Sequence, residues 1–225
     1  MNRSGFFLFL FIGVSLAQLL ALIIGWPMVH LVTKPLIMLS LTGYYWINAE
    51  RRSLTFILAL LFCWLGDVLL MFESTAALFF IFGLLSFLMG HLLYMISYRK
   101  LRDDDISHEL LWTQKVRFSI PIVLIGTGLI TVLFPTLGIL KIPVLIYSMV
   151  LVGMVMTALF RYGRTSLLSF WLVFAGAAFF MISDSLLAIN KFYAPLPFGG
   201  FMIMLTYIGA QYLIVQGGLR HRNAC

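Results

Sequence analysis

The sequence predicts an all-α polytopic membrane protein, with eight transmembrane helices in a single integral-membrane domain over residues 1–225. Three observations predict it. Hydrophobic residues make up 62% of the chain and charged residues only 10%, too apolar a balance for a soluble domain. Apolar runs of about 20 residues, the length that crosses a bilayer as a helix, recur from end to end. The runs are continuous, whereas the strands of a membrane barrel alternate apolar and polar residues.

The runs place helices over about 6–25, 28–47, 53–72, 76–98, 118–134, 142–160, 166–189 and 199–218. The first follows Asn2-Arg3-Ser4, and Ser15-Leu16-Ala17 resembles a signal-peptide cleavage site. Its apolar stretch continues to Gly25, longer than a signal core, so a retained helix is expected. The one long loop is expected from Arg99 to Arg117 and carries Asp103-Asp104-Asp105, then Ile106, Leu110, Leu111 and Trp112. A solvated loop resting its apolar residues on the membrane surface is favoured there over a cation site.

The basic residues orient the spans. Arg3, Arg51, Arg52, Arg99, Lys100, Arg102, Lys115, Arg117, Arg161, Arg164, Arg220 and Arg222 fall on the side of the N-terminus. Lys141 and Lys191 fall on the other, and Lys34 lies inside the second span. Basic residues collect on the cytoplasmic side of membrane proteins, so both termini are expected in the cytoplasm. The net charge of +7 thus records membrane orientation, and no nucleic-acid partner is expected. Cys63 and Cys225 form neither a CxxC motif nor a disulfide framework.

Two carboxylates interrupt the apolar runs, Asp67 within Gly66-Asp67-Val68-Leu69-Leu70 and Asp184 within Ser183-Asp184-Ser185-Leu186-Leu187. A charge in hydrocarbon costs several kcal/mol or more, so each must be protonated, paired or used. Laying helices 1–4 on 5–8 gives a weak internal repeat. It matches Lys34-Pro35 with Lys141-Ile142-Pro143, the two aspartates with each other, and Gly90-His91 with Gly209-Ala210-Gln211. Four helices per half make these parallel repeats.

At the helical rise, Asp67, Asp184 and Lys34 are each expected about 8–10 Å below the outer surface. Lys34 either joins the carboxylates or snorkels to the interface. His91 and Tyr94 share a face of helix 4 one turn apart, with His91 about 22 Å from the outer end, a poorer match in depth. Tyr207 and Gln211 form an i, i+4 pair on helix 8, and Gln18 lies mid-helix 1; hydrogen bonds between helices account for all three. His30, His91, His108 and His221 show neither HxxxH nor HExxH spacing, and no GxSxG elbow is present. No metal and no other cofactor is expected.

In this order, Lys34-Pro35, Gly66-Asp67, Gly90-His91-Leu92-Leu93-Tyr94, Ser183-Asp184 and Tyr207 to Gln211 resemble the YhhN family of integral-membrane lysoplasmalogenases. The resemblance implies hydrolysis of the vinyl ether bond of a lysophospholipid substrate, releasing a fatty aldehyde and glycerophosphoethanolamine or glycerophosphocholine. It implies Asp67 and Asp184 as acid and base in either order. Lys34, His91, Tyr94, Ser183, Tyr207 and Gln211 would bind substrate or support the site. Membrane lipids are the surrounding partners, and a bacterial inner membrane is the expected location. The chemistry agrees with the residues: vinyl ether cleavage needs a proton donor to carbon and an anion to steady the cation that follows. A transporter using the aspartates as coupling sites is the alternative, with Pro35 and Pro143 marking broken helices. A bundle in which the aspartates only join helices, and a lipid hydrolase acting on a different bond, are also open.

Overall fold

A computed structural model describes residues 3–221, so Arg222 and Cys225 of the sequence reading lie outside the described residues. Eight long α-helices are present: α1 (Arg3–Ile24), α2 (Pro27–Asn48), α3 (Leu54–Met71), α4 (Ala77–Lys100), α5 (Trp112–Leu133), α6 (Lys141–Leu159), α7 (Leu167–Phe192) and α8 (Gly199–Leu219). A short 3-10 turn, Gly138–Leu140, leads into α6. No strand occurs among the described residues. The protein is an all-α, polytopic integral-membrane protein.

Seven of the helices are long and apolar enough to cross a membrane, and α2 is the exception. Its polar residues explain this, and they are largely satisfied within the helix itself. Thr33 donates to Val29 O, Ser40 to Ile37 O, Thr42 to Met38 O and Asn48 to Tyr44 O. Such back-bonding removes the unpaired donors that hydrocarbon penalises. On α5 the exposed Thr127 and Thr131 do the same with Val123 O and Thr127 O. Large apolar side chains such as Phe9, Leu54, Leu124 and Met149 are exposed on the helix surfaces, as lipid contact requires.

Local chemistry sets the helix ends. Pro27 starts α2 at a position with no need of an N–H, after a turn in which Gly25 takes φ +78°. Ser53 caps α3 and Ser166 caps α7 by accepting from Phe56 N and Ser169 N. Pro35 sits inside an unbroken α2 and Pro143 within the first turn of α6, so neither marks the broken helix that the transporter reading expected.

Three ends differ from the sequence expectation, the first being α1, which starts at Arg3 rather than near 6. α5 begins at Trp112 rather than near 118, because Gln114 Oε1 accepts the Leu111 N–H and the first turns carry Lys115 and Arg117 in place. α7 runs on to Phe192, past 189, with Asn190 Oδ1 accepting the N–H of Leu196 beyond it.

The chain divides into two compact units, one ending at Ser97 and the next beginning at Tyr98. In the first, α1 packs on α2 through Phe7 against Gly43, and Ser4 Oγ donates to Asn48 Oδ1. α3 meets α4 where Gly66 faces Phe87, Leu70 faces Gly83 and Cys63 faces Gly90. In the second, α7 and α8 touch at backbone distance, since a Cβ on Gly176 would lie 2.9 Å from Ala210 O.

The loop between α4 and α5 is shorter and more ordered in its contacts than the solvated loop expected. Arg164 donates through Nε and Nη2 to Asp103 O, while Asp103 N donates back to Arg164 O. Gly163, at φ +71°, leaves no room for a Cβ beside His108 O. The turn between α6 and α7 therefore holds the loop. Leu110 is buried there, whereas Ile106, Leu111 and Trp112 are exposed. Asp105 accepts from Ser107 N and Ser107 Oγ in a local turn.

Candidate functional site

In the first unit Asp67 is set into α3 four residues before its end, about 6 Å along the axis. It is only 3% exposed. The α3–α4 contacts fix an antiparallel register that puts Asp67 opposite Ser86, whose Oγ donates to Phe62 O. His91 is fully buried on α4, five residues beyond Ser86, or about 7–8 Å along the axis. That offset is smaller than the sequence depths suggested.

Tyr94, three residues beyond His91 on α4, also has an aromatic neighbour. It packs edge-on against Phe56 at 5.5 Å between ring centroids, and Phe56 stacks on Tyr45 at 4.6 Å. Phe56 itself lies eleven residues before Asp67 on α3, about 16 Å along the axis. Lys34 is half-buried and, among the described residues, makes neither a hydrogen bond nor an ion pair. The union of Lys34 with Asp67 considered from sequence does not form.

A polar cluster does form one turn before Lys34. Gln18 of α1, fully buried, lies with Nε2 at 2.7 Å from His30 Nδ1, and its Oε1 accepts from Thr33 Oγ1 at 2.6 Å. Gln18 was expected to join helices, and it does so. His30 was not singled out, because one histidine at a helix start has no partner visible in sequence.

In the second unit the hydroxyl of Tyr147 on α6 donates to Asp184 Oδ2 on α7 at 2.5 Å. Asp184 is half-buried and lies eight residues before the end of α7, about 12 Å along the axis and deeper than expected. Beside it, Ser183 is buried and donates to Ile203 O of α8 at 3.0 Å. Tyr207 of α8 meets Phe180 of α7 edge-on at 5.5 Å, and Gln211 one turn further is fully buried. Ser183 and Tyr207 thus both lie at the α7–α8 contact, while the neighbouring Asp184 is bonded to α6. Tyr147 was missed. Its signal was depth, since it falls six residues into α6 from Lys141, close to the level expected for Asp184.

Arg161 was also missed, having been counted as a basic residue facing water. It is fully buried just past α6. Its Nε donates to Leu101 O, Nη1 to Ser169 O and Nη2 to Ser169 Oγ, and Ser169 Oγ passes a bond on to Gly217 O. Burial pulls its guanidinium down to about 10, so it stays charged at neutral pH. Glu109 bridges Lys115 and Arg164 nearby. Among the described residues no group of three His, Cys, Asp or Glu side chains could hold a metal ion.

These helices and buried polar groups define an integral-membrane protein with carboxylates inside its spans. The YhhN family matches residues 29–218, and the chain belongs to that family. The matched stretch holds every residue singled out from sequence as a candidate, from Lys34 to Gln211. The chain is 30% identical over 189 residues to human lysoplasmalogenase TMEM86B, covering 83% of this chain and 74% of that protein. It is 43% identical over 49 residues to human lysoplasmalogenase TMEM86A, covering 22% of this chain and 20% of that protein. No solved structure matches.

Proposed function

We propose that the protein is a lysoplasmalogenase, hydrolysing the vinyl ether bond of lysoplasmalogens within the membrane without a metal ion. The observation that carries this reading is the similarity to a human lysoplasmalogenase over 83% of the chain. The products would be a fatty aldehyde and glycerophosphoethanolamine or glycerophosphocholine.

Asp67 and Asp184 carry the chemistry in this proposal, and the Tyr147 bond gives a basis for dividing their roles. Asp184 accepts a hydroxyl hydrogen on Oδ2, which holds it as the carboxylate that accepts a proton rather than gives one. Asp67, enclosed by α3 and α4, is the acid. It transfers its proton to the β-carbon of the vinyl ether, and the adjacent carbon becomes an oxocarbenium ion. Water adds to that carbon as Asp184 takes one of its protons. The hemiacetal then loses its hydroxyl proton to Asp67, while Asp184 returns its proton to the departing glycerol oxygen. Both groups end as they began.

Lys34 contacts the phosphate, consistent with its lack of an ion pair with Asp67. Ser183, Tyr207 and Gln211 support the α7–α8 contact beside Asp184, His91 supports α4, and Tyr94 packs the aromatic cluster. Both termini face the cytoplasm, following the basic residues.

The test is to incubate purified protein with vinyl-ether, alkyl-ether and acyl lysophospholipids and measure free aldehyde and free fatty acid. Aldehyde from the vinyl ether alone is the expected result. Fatty acid from the acyl lipid, or aldehyde from none, would rule the proposal out.

A further inference from the structure

We infer that His30 and Lys34 form the pocket for the substrate's phosphate, with Gln18 and Thr33 as positioning residues behind the imidazole; the inference rests on the lysoplasmalogenase reading. His30 and Lys34 are an i, i+4 pair and share one face of α2. They lie three and seven residues into α2, about 5 and 10 Å from the α1–α2 turn, where a headgroup meets the acyl region. Exposed Trp26 sits at that turn, as aromatic residues do at membrane interfaces.

The cluster behind His30 fixes what the ring can offer. Gln18 Oε1 accepts from Thr33, which shares its one hydrogen with Val29 O. The Gln18 amide nitrogen, a donor only, then faces His30 Nδ1, which accepts. The ring proton resides on Nε2, leaving an N–H donor on a half-buried residue. One turn away is a lysine ammonium with no ion pair among the described residues. An N–H donor and an unneutralised cation on one helix face suit a phosphate monoanion such as a lysophospholipid phosphodiester.

The test measures binding to full-length protein in detergent and needs no turnover. The probes are an alkyl-ether lysophospholipid, a 1-O-alkylglycerol of the same chain length without phosphate, and a diacyl phospholipid as competitor. Wild type is expected to bind the lysophospholipid at least about tenfold more tightly than the alkylglycerol, the worth of one charge-assisted hydrogen bond. His30→Ala, Lys34→Gln and Gln18→Leu should each erode that preference about tenfold while leaving alkylglycerol binding unchanged, which also reports an intact fold. His30→Gln, which keeps an N–H donor, should restore part of it. Equal binding of the two probes by wild type would overturn the inference, as would variants that weaken both alike. Displacement by the diacyl lipid with the same sensitivity to the variants would overturn it too, making the pocket a bilayer-lipid site. Absence of aldehyde release would remove the hydrolase reading without altering these binding results.

Discussion

The hydroxyl of Tyr147 on α6 donates to Asp184 Oδ2 on α7 across 2.5 Å. This bond fixes one oxygen of a carboxylate placed in a membrane span. Tyr147→Phe keeps the ring and removes the donor. A hydrogen bond to a charged group contributes about 1.5–3 kcal/mol, so aldehyde release should fall about 10–100-fold with little change in thermal stability. Steady-state assays beside a melting curve in detergent check both halves.

Close helix contact in the second unit depends on Gly176. A Cβ there would meet Ala210 O and Ile214 N, both at 2.9 Å, and neither backbone atom can move alone. Gly176→Ala should destabilise the protein by about 1–3 kcal/mol through overpacking. Gly13 has nothing within 4 Å of the same position, so Gly13→Ala should leave melting unchanged or slightly raised. Thermal unfolding of the two variants side by side is the measurement.

Arg161 holds the α4–α5 loop and α7 through three donors. Lysine carries one ammonium and cannot reproduce that fork. Arg161→Lys should lower stability by about 1–3 kcal/mol, the scale of one buried group left unpaired, and expose residues 101–111 to protease. Limited proteolysis with mapping of the cut sites reports the loop directly.

Acid should release the same loop. Glu109 is held below its ordinary carboxylate range, chiefly by its hydrogen bond from Lys115, with the charges of Lys115, Arg164 and Arg102 adding to this. A lowered pKa in the folded state means stability that is present above the ordinary value of about 4.5 and lost as pH falls through the lowered one. Protection factors for amide exchange in residues 101–111, which remove the intrinsic pH dependence of exchange, should therefore fall below about pH 4.5 in wild type. In Glu109→Gln they should already be low at pH 7 and change little with acid.

Length and apolarity located the eight helices, seven of them apolar enough to cross a membrane, because a bilayer admits a helix that satisfies its own backbone and presents apolar side chains to lipid. The ends of α5 and α7 were less legible: lysine and arginine tolerated in first turns, and an asparagine and a lysine in a last turn, look like loop in a sequence. The YhhN resemblance read from Gly66-Asp67, Ser183-Asp184 and their companions is borne out by the match over residues 29–218. Side-chain partners were the least legible. Tyr147 and Asp184 are 37 residues apart, and only its depth in α6 sets Tyr147 apart among the nine tyrosines. Arg161 shows the converse limit, since a basic residue beside a membrane helix is read as facing water unless its acceptors are seen. His30 gained meaning only from Gln18, twelve residues earlier on another helix.

The central claim is that Asp67 and Asp184 perform the hydrolysis, and Asn at either position keeps the shape while removing the acid–base group. The most direct measurement is aldehyde release from a lysoplasmalogen by purified Asp67→Asn and Asp184→Asn, each shown by its melting curve to be folded. The account predicts that each variant loses at least about 100-fold in rate, the low end of a general acid–base contribution. A folded variant of either kind that releases aldehyde at the wild-type rate would contradict it.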